Sequence, residues 1–249
     1  MLGGLFGRKR NQDDGDTGPG HPIYAVGDVH GRLDLLKALM ARIRDDAGDG
    51  PAELIYLGDY VDRGPESCGV IDALLGTAAR TGYRCTFLKG NHEATLLDFL
   101  GDASLGPAWA RFGGRETLAS YGVRIASAGA DWERVRRDFE LALPLAHRRF
   151  LEGLELFAER GRYFFVHAGI DPDLPLLAQG EEEYLWIRSP FLDSTRALEK
   201  IVVHGHTPES EPVHNARRIG VDTGAYASGC LTAARIEGRS VRFIAARLG

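Results

Sequence analysis

The chain has 249 residues, 44% of them hydrophobic and 26% charged, with a formal net charge of −5. This mixture is the ordinary one for a globular protein and excludes a disordered or fibrous chain, and the mild acidity leaves no electrostatic footprint for nucleic acid or an anionic membrane. Cys68, Cys85 and Cys230 form no C-x-x-C pair, which argues against a disulfide framework or a thiolate zinc site and suits a reduced, cytoplasmic setting.

The first ten residues, MLGGLFGRKR, place apolar residues before charges and hold no long apolar run, so no secretory leader is expected. Leu2 stands where N-myristoylation needs glycine, and no later stretch reaches the roughly 18 apolar residues of a membrane helix. Residues 1–21, which include Arg8, Lys9, Arg10 and the polar NQDDGDTGPG, are expected to form a flexible tail ahead of one domain over 22–249.

From Pro22 the pattern becomes periodic. PIYAVGD (22–28) reads as a buried strand, and Leu35, Leu36, Leu39, Met40 and Ile43 then share one helical face. AELIYLGD (52–59), a helix over 67–79 and YRCTFLKG (83–90) complete a β-α-β-α-β core, predicting a parallel sheet whose ligands lie beyond the strand carboxyl ends. A helical excursion follows over about 94–158, interrupted by Pro107, the Gly113-Gly114 pair and Pro144. Strands return at 162–169 and 200–206, and RRIGVD, CLTAARI and SVRFIAA read as the last strands, with a tight turn at Glu237-Gly238.

Five polar motifs stand at strand ends: GDVHG (27–31), GDYVDRG (58–64), GNHE (90–93), VHAG (166–169) and HGHTP (204–208). Strand ends converge in such a sheet, so Asp28, His30, Asp59, Asn91, His167 and His206 would offer oxygen and imidazole donors of the kind that hold manganese, iron or zinc. Asp28 and His30 lie two apart, which in an extended segment points both side chains the same way.

Together these motifs resemble the phosphoprotein phosphatase branch of the calcineurin-like metallophosphoesterases. GGRETLASYG (113–122) and LWIRSPFLD (185–193) resemble its bacterial Ser/Thr-type members. The resemblance implies an α/β fold with a central β-sandwich flanked by helices, and two divalent metal ions, manganese foremost. It assigns Asp28, His30 and Asp59 to one ion and Asp59, Asn91, His167 and His206 to the other, with Asp59 as the bridge. A shared hydroxide would attack phosphorus in line, His92 would protonate the leaving alkoxide, and Asp62 would orient His92. Arg63 and Arg188, with Asn91, would hold the phosphate. Pro208 stands where more distant phosphodiesterases carry a histidine, which favours monoester hydrolysis.

The implied substrate is a phosphorylated protein or a small phosphoester. The alternatives are hydrolysis of diadenosine tetraphosphate or another nucleotide, and a metal-binding interaction module without catalysis. Taken singly, each motif also has a structural reading. Asn91 could cap the following helix, His204 could support the site from behind, and Tyr226 could line the pocket or simply pack. His21, His147 and His214 are expected to face solvent.

Overall fold

Residue alternation along the strands feeds two different cores. In the computed structural model, which describes residues 20–80, 82–125 and 129–248, β1 (Ile23–Val26) is buried along its whole length. Ile23 and Ala25 point to one side, and Tyr24 and Val26 to the other. β1 runs parallel to β2 (Glu53–Tyr56), and β2 to β3 (Arg84–Phe87). The second sheet contains β4 (Phe157–Arg160), β5 (Tyr163–Val166), β6 (Ile201–His204), β7 (Val213–His214) and β8 (Arg218–Gly220). β9 (Cys230–Glu237) and β10 (Ser240–Arg247) return to the first sheet, giving the orders β10-β9-β1-β2-β3 and β4-β5-β6-β8-β7.

The architecture is a sandwich of two mixed sheets flanked by helices. Ile55, Leu57, Phe165, Val203, Ile219 and Ala234 fill the space between the sheets. Each large apolar side chain sealed there contributes about 1.5–3 kcal/mol. The outer face of the first sheet is covered by α1 (Leu33–Ala47) and α2 (Ser67–Arg80). Phe164, Val166 and Val202 on the outer face of the second sheet pack with Tyr184 and Phe191. Glu53 is buried and receives a bidentate pair from Arg160 at 2.6–3.1 Å, tying β2 of one sheet to β4 of the other.

The β1-β2-β3 core is parallel as the sequence predicts, and the sheets become mixed where β9 joins β1 antiparallel and β4 and β7 pair antiparallel with β5 and β8. One sequence expectation changes. The helical excursion runs from α3 (Asn91–Gly101) through α4 (Gly106–Trp109), α5 (Arg115–Ser120), α6 (Trp132–Ala142) and α7 (Leu145–Glu152). It stops before 158, since Phe157–Arg160 pairs with β5 across a turn at Gly161. The tail over 1–19, with Arg8, Lys9 and Arg10, lies outside the described residues. No described helix is long and apolar enough to cross a membrane.

Candidate metal centre and active site

The five motifs meet at one rim of the sandwich, on backbone that ordinary turns do not supply. His30, Asp59, Asp62, Arg63 and His206 all have positive φ, between 45° and 70°. Such conformations cost energy for a side-chain-bearing residue and persist only where surrounding bonds fix them. Glu93 supplies much of that fixing. Fully buried, its carboxylate accepts the backbone N–H groups of Asp59 (2.8 Å), Tyr60 (2.7 Å), Val61 (3.2 Å) and Gly90 (2.9 Å). Gly90 is the N-cap of α3, and a Cβ there would overlap the Asp59 carboxylate.

Asp59 lies at the centre of a ring of imidazoles. Its oxygens are 3.5 Å from His30 Nε2, 3.5 Å from His167 Nε2 and 4.0 Å from His92 Nε2. Burial opposes its ionisation, but His167, His92, His30 and His206 outweigh that and hold its pKa below the usual carboxylate range. Burial also lowers His167, and pushes His30 and His206 down to about 3, so these three imidazoles are neutral at pH 7 and could serve as ligands.

The donor chemistry fits a cation. His30 Nδ1 donates to Val61 O at 2.9 Å and His167 Nδ1 to Leu57 O at 2.8 Å, which leaves a lone pair on each Nε2 atom, that of His30 also accepting from Arg63. The lone pair of His167 faces the oxygen of Asn91 at 2.9 Å and that of Asp59 at 3.5 Å, acceptor against acceptor. His206 Nδ1 lies 2.9 Å from the same Asn91 oxygen. Convergent electron pairs in a buried site call for a positive ion between them. Among the described residues, two compact groups could hold one: His30, Asp59 and His92, and Asp59, His167 and His206. Both contain Asp59, as a bridging carboxylate would require.

Asp28 stands slightly apart from these groups. Both of its oxygens accept the backbone N–H of His206 at 3.1 Å. Burial, Asp222 and Asp59 together raise its pKa well above normal. Asp222, buried at the end of β8, is itself pushed up to about 6, chiefly by burial. Three carboxylates sharing one dry rim are a further demand for cationic charge. Sequence reading overlooked Asp222, although it ends a strand just as Asp28 and Asp59 do.

His92 and Asp62 form a tight pair, with Nδ1 2.7 Å from Oδ2. The Asp62 carboxylate also accepts from Trp109 Nε1 at 2.9 Å and from Thr117 Oγ1 at 2.6 Å. Its backbone N–H donates to Thr117 Oγ1 at 2.8 Å. Burial opposes protonation of His92, but Asp59 and Asp62 outweigh it and raise its pKa. The GGRETLASYG stretch thus has a physical task, delivering Thr117 beneath Asp62. Trp109 was missed because its bond to Asp62 follows no local sequence period, and Glu93 because its bonds to Asp59, Tyr60 and Val61 cross from one strand end to another.

Arg63 and Arg188 line one cavity with Asp59, Asn91, His92 and His206, and Trp109, Phe112 and Trp186 form its apolar wall. Arg63 Nη1 donates to His30 Nε2 at 3.1 Å, and its guanidinium lies 4.6 Å above the Tyr226 ring. Tyr226 therefore packs against Arg63 and His30 and lines the groove next to this cavity rather than the cavity itself. Asn91 is the first residue of α3 rather than its cap, and its side chain turns to His167 and His206. His204 donates from Nδ1 to Gly205 O and accepts from Arg218 at Nε2, so it faces away from the donor ring. His147 corrects the expectation of solvent exposure: it is 3% exposed, bridging Tyr121 and Asp72 at 2.9 and 3.0 Å. His214 is exposed and His21 partly so.

Two sheets presenting carboxylates and imidazoles at their common rim define a metal-dependent hydrolase. A family model for calcineurin-like phosphoesterases matches residues 21–234, and the chain belongs to that family of metallophosphoesterases. Among curated proteins it is 28% identical over 224 residues to serine/threonine-protein phosphatase 1 of Salmonella typhimurium, covering 86% of this chain and 92% of the relative. It is 24% identical over 233 residues to the asymmetrical bis(5'-nucleosyl)-tetraphosphatase PrpE of Anoxybacillus flavithermus, covering 84% and 88%. A cold-active protein tyrosine phosphatase structure shares the fold, with a TM-score of 0.61 at 16% identity over 95% of this chain and 81% of that one.

Proposed function

We propose that the protein is a phosphomonoesterase of the Ser/Thr protein phosphatase type, with Asp28, His30, Asp59, Asn91, His167 and His206 holding two divalent ions, manganese foremost. The observation that carries this reading is the His92–Asp62 pair at 2.7 Å, set beside an Asp59 shared by two donor groups and opening into the cavity of Arg63 and Arg188. The ions would polarise the phosphoryl oxygens and make water a competent nucleophile near neutral pH.

The side chains do the rest. Arg63 and Arg188 bind the phosphate oxygens with paired donors and turn the ester so that its leaving oxygen faces His92. His92 donates Nδ1–H to Asp62, so the transferable proton sits on Nε2, at the cavity face. That proton passes to the departing alkoxide as the P–O bond breaks, a contribution of about 10² to 10⁴ in rate.

A second reading is the cleavage of dinucleoside tetraphosphates. The function named for the Anoxybacillus relative favours it, as do the exposed aromatic faces of Phe112 and Trp186 on the cavity wall, which could stack a base. A non-catalytic binding module is disfavoured by the intact His92–Asp62 pair. The deciding experiment offers manganese-reconstituted protein phosphoserine, phosphothreonine and phosphotyrosine peptides alongside diadenosine tetraphosphate. Preferential release of phosphate from phosphoserine and phosphothreonine peptides is expected. Turnover of the tetraphosphate alone would establish the second reading, and no turnover of p-nitrophenyl phosphate with two ions bound would establish the third.

A further inference from the structure

We propose that a groove beside the active site, lined by Arg63, Arg111, Arg115 and Tyr226, is a second anion subsite that binds a phosphate or carboxylate carried by the substrate away from its scissile phosphate. The proposal rests on the phosphoesterase reading above and narrows its substrate class to phosphoesters bearing a second anionic group.

The groove shares Arg63 and Phe112 with the catalytic cavity, so one extended ligand can occupy both. Arg111 and Arg115 are exposed, and neither has an ion-pair or side-chain hydrogen-bond partner among the described residues. Arg124, Arg137 and Arg149 of the helical excursion are likewise exposed without such a partner, but they lie outside the groove, whereas Arg111 and Arg115 converge on Arg63 within it. Glu116 is the one carboxylate of the groove, against three guanidiniums. A local excess of positive charge therefore sits beside the catalytic cavity of an acidic chain. Guanidinium forks match the paired oxygens of phosphate and carboxylate.

The position of the groove is fixed by its turn. Gly113, between the two arginines, has φ 113°, and its carbonyl accepts the Arg63 N–H at 3.2 Å. A Cβ at Gly113 would overlap Arg63, so only glycine lets the turn lie against that residue. Tyr226, beneath the Arg63 guanidinium, holds it at the junction of cavity and groove. The catalytic phosphate and the second anion are thus registered against one rigid element.

The test is an Arg111→Ala/Arg115→Ala double variant of the full chain, reconstituted with manganese. Both side chains are exposed, so folding is not at stake. Four substrates are compared: p-nitrophenyl phosphate, a phosphothreonine peptide with neutral flanks, the same peptide with acidic flanks, and diadenosine tetraphosphate. For the first two, kcat/KM should stay within about twofold of wild type, while for at least one of the last two it should fall about tenfold, mainly through KM. The same loss should vanish at high salt. A fall confined to the acidic peptide identifies a protein side chain as the second anion, and one confined to the tetraphosphate identifies its polyphosphate chain. Equal effects on all four, or none on any, would overturn the subsite. Turnover of p-nitrophenyl phosphate by the wild-type protein reports the catalytic reading separately. Should it fail, equilibrium titration of the acidic peptide and the tetraphosphate still reads the subsite, and unchanged affinity in the double variant overturns it.

Discussion

The strand-end loops carrying Asp59, Asp62 and His92 and the helical wall over 103–120 that closes the same cavity are built on opposite terms. In the loops, polar groups are closely spoken for: Glu93 accepts four backbone N–H groups, and Asp62 accepts from His92, Trp109 and Thr117. On the wall, Leu105 is 40% exposed, Phe112 is 66% exposed, and Arg111 and Arg115 are unpaired among the described residues. Chemistry common to many phosphate esters needs preorganised charge, which strained and over-determined backbone supplies. Choice among substrates needs side chains that still have bonds to give.

Four changes probe this contrast, three in the strand-end loops and one, at Trp109, where the wall reaches Asp62. The largest effect is expected for Asp59→Asn, which removes the charge shared by both donor groups. Bound metal should fall to near zero and turnover by at least about 10³, as read by elemental analysis and p-nitrophenyl phosphate hydrolysis. A variant holding two ions at full activity would show that the centre of the site lies elsewhere.

Next comes His92→Asn, expected to lower turnover by about 10² to 10⁴ with metal content intact. This control is sharpened by His92 belonging to one of the compact donor groups, since loss of an ion would recast it as a ligand. Glu93→Gln keeps the shape but turns an NH₂ toward N–H donors. Each buried donor left unsatisfied costs about 1–3 kcal/mol, and each kcal/mol should lower Tm by about 2–4 °C for a chain of this size. An unchanged melting curve would mean that the loops hold their strained conformation without the clamp. The smallest effect is expected for Trp109→Phe, which preserves the apolar wall and removes one hydrogen bond to Asp62. Turnover should fall by about tenfold with KM little changed, whereas a shift in KM alone would place Trp109 on the substrate side of the comparison.

Much of the site was legible because its residues announce themselves locally. Asp28, His30, Asp59, Asn91, His92, His167 and His206 each follow an apolar strand, and strand ends must converge wherever parallel neighbours are joined by crossovers. Asp222 carried the same signal at the end of a short strand and was passed over. Thr117, Trp109 and Ser67 were beyond reach in a different way. They meet Asp62 across separations of 55, 47 and 5 residues, and no periodicity relates such positions. His147 misled because one histidine on an amphipathic helix reads as polar surface, whereas its ring is buried and Tyr121 and Asp72 satisfy both its nitrogens.

By itself, the sequence determined the strands, the helices that cover them and the donor atoms at their ends. These depend on hydrophobic alternation and on residue type, both local properties. The tertiary structure decided that the five motif-bearing strands would divide as β1, β2 and β3 in one sheet and β5 and β6 in the other, that His204 would turn away while Asn91 turned in, and that Glu93 would lock the Asp59 turn. Those outcomes depend on which buried acceptor lies within hydrogen-bond reach of which donor once the sheets have closed, a distance that the order of residues does not encode.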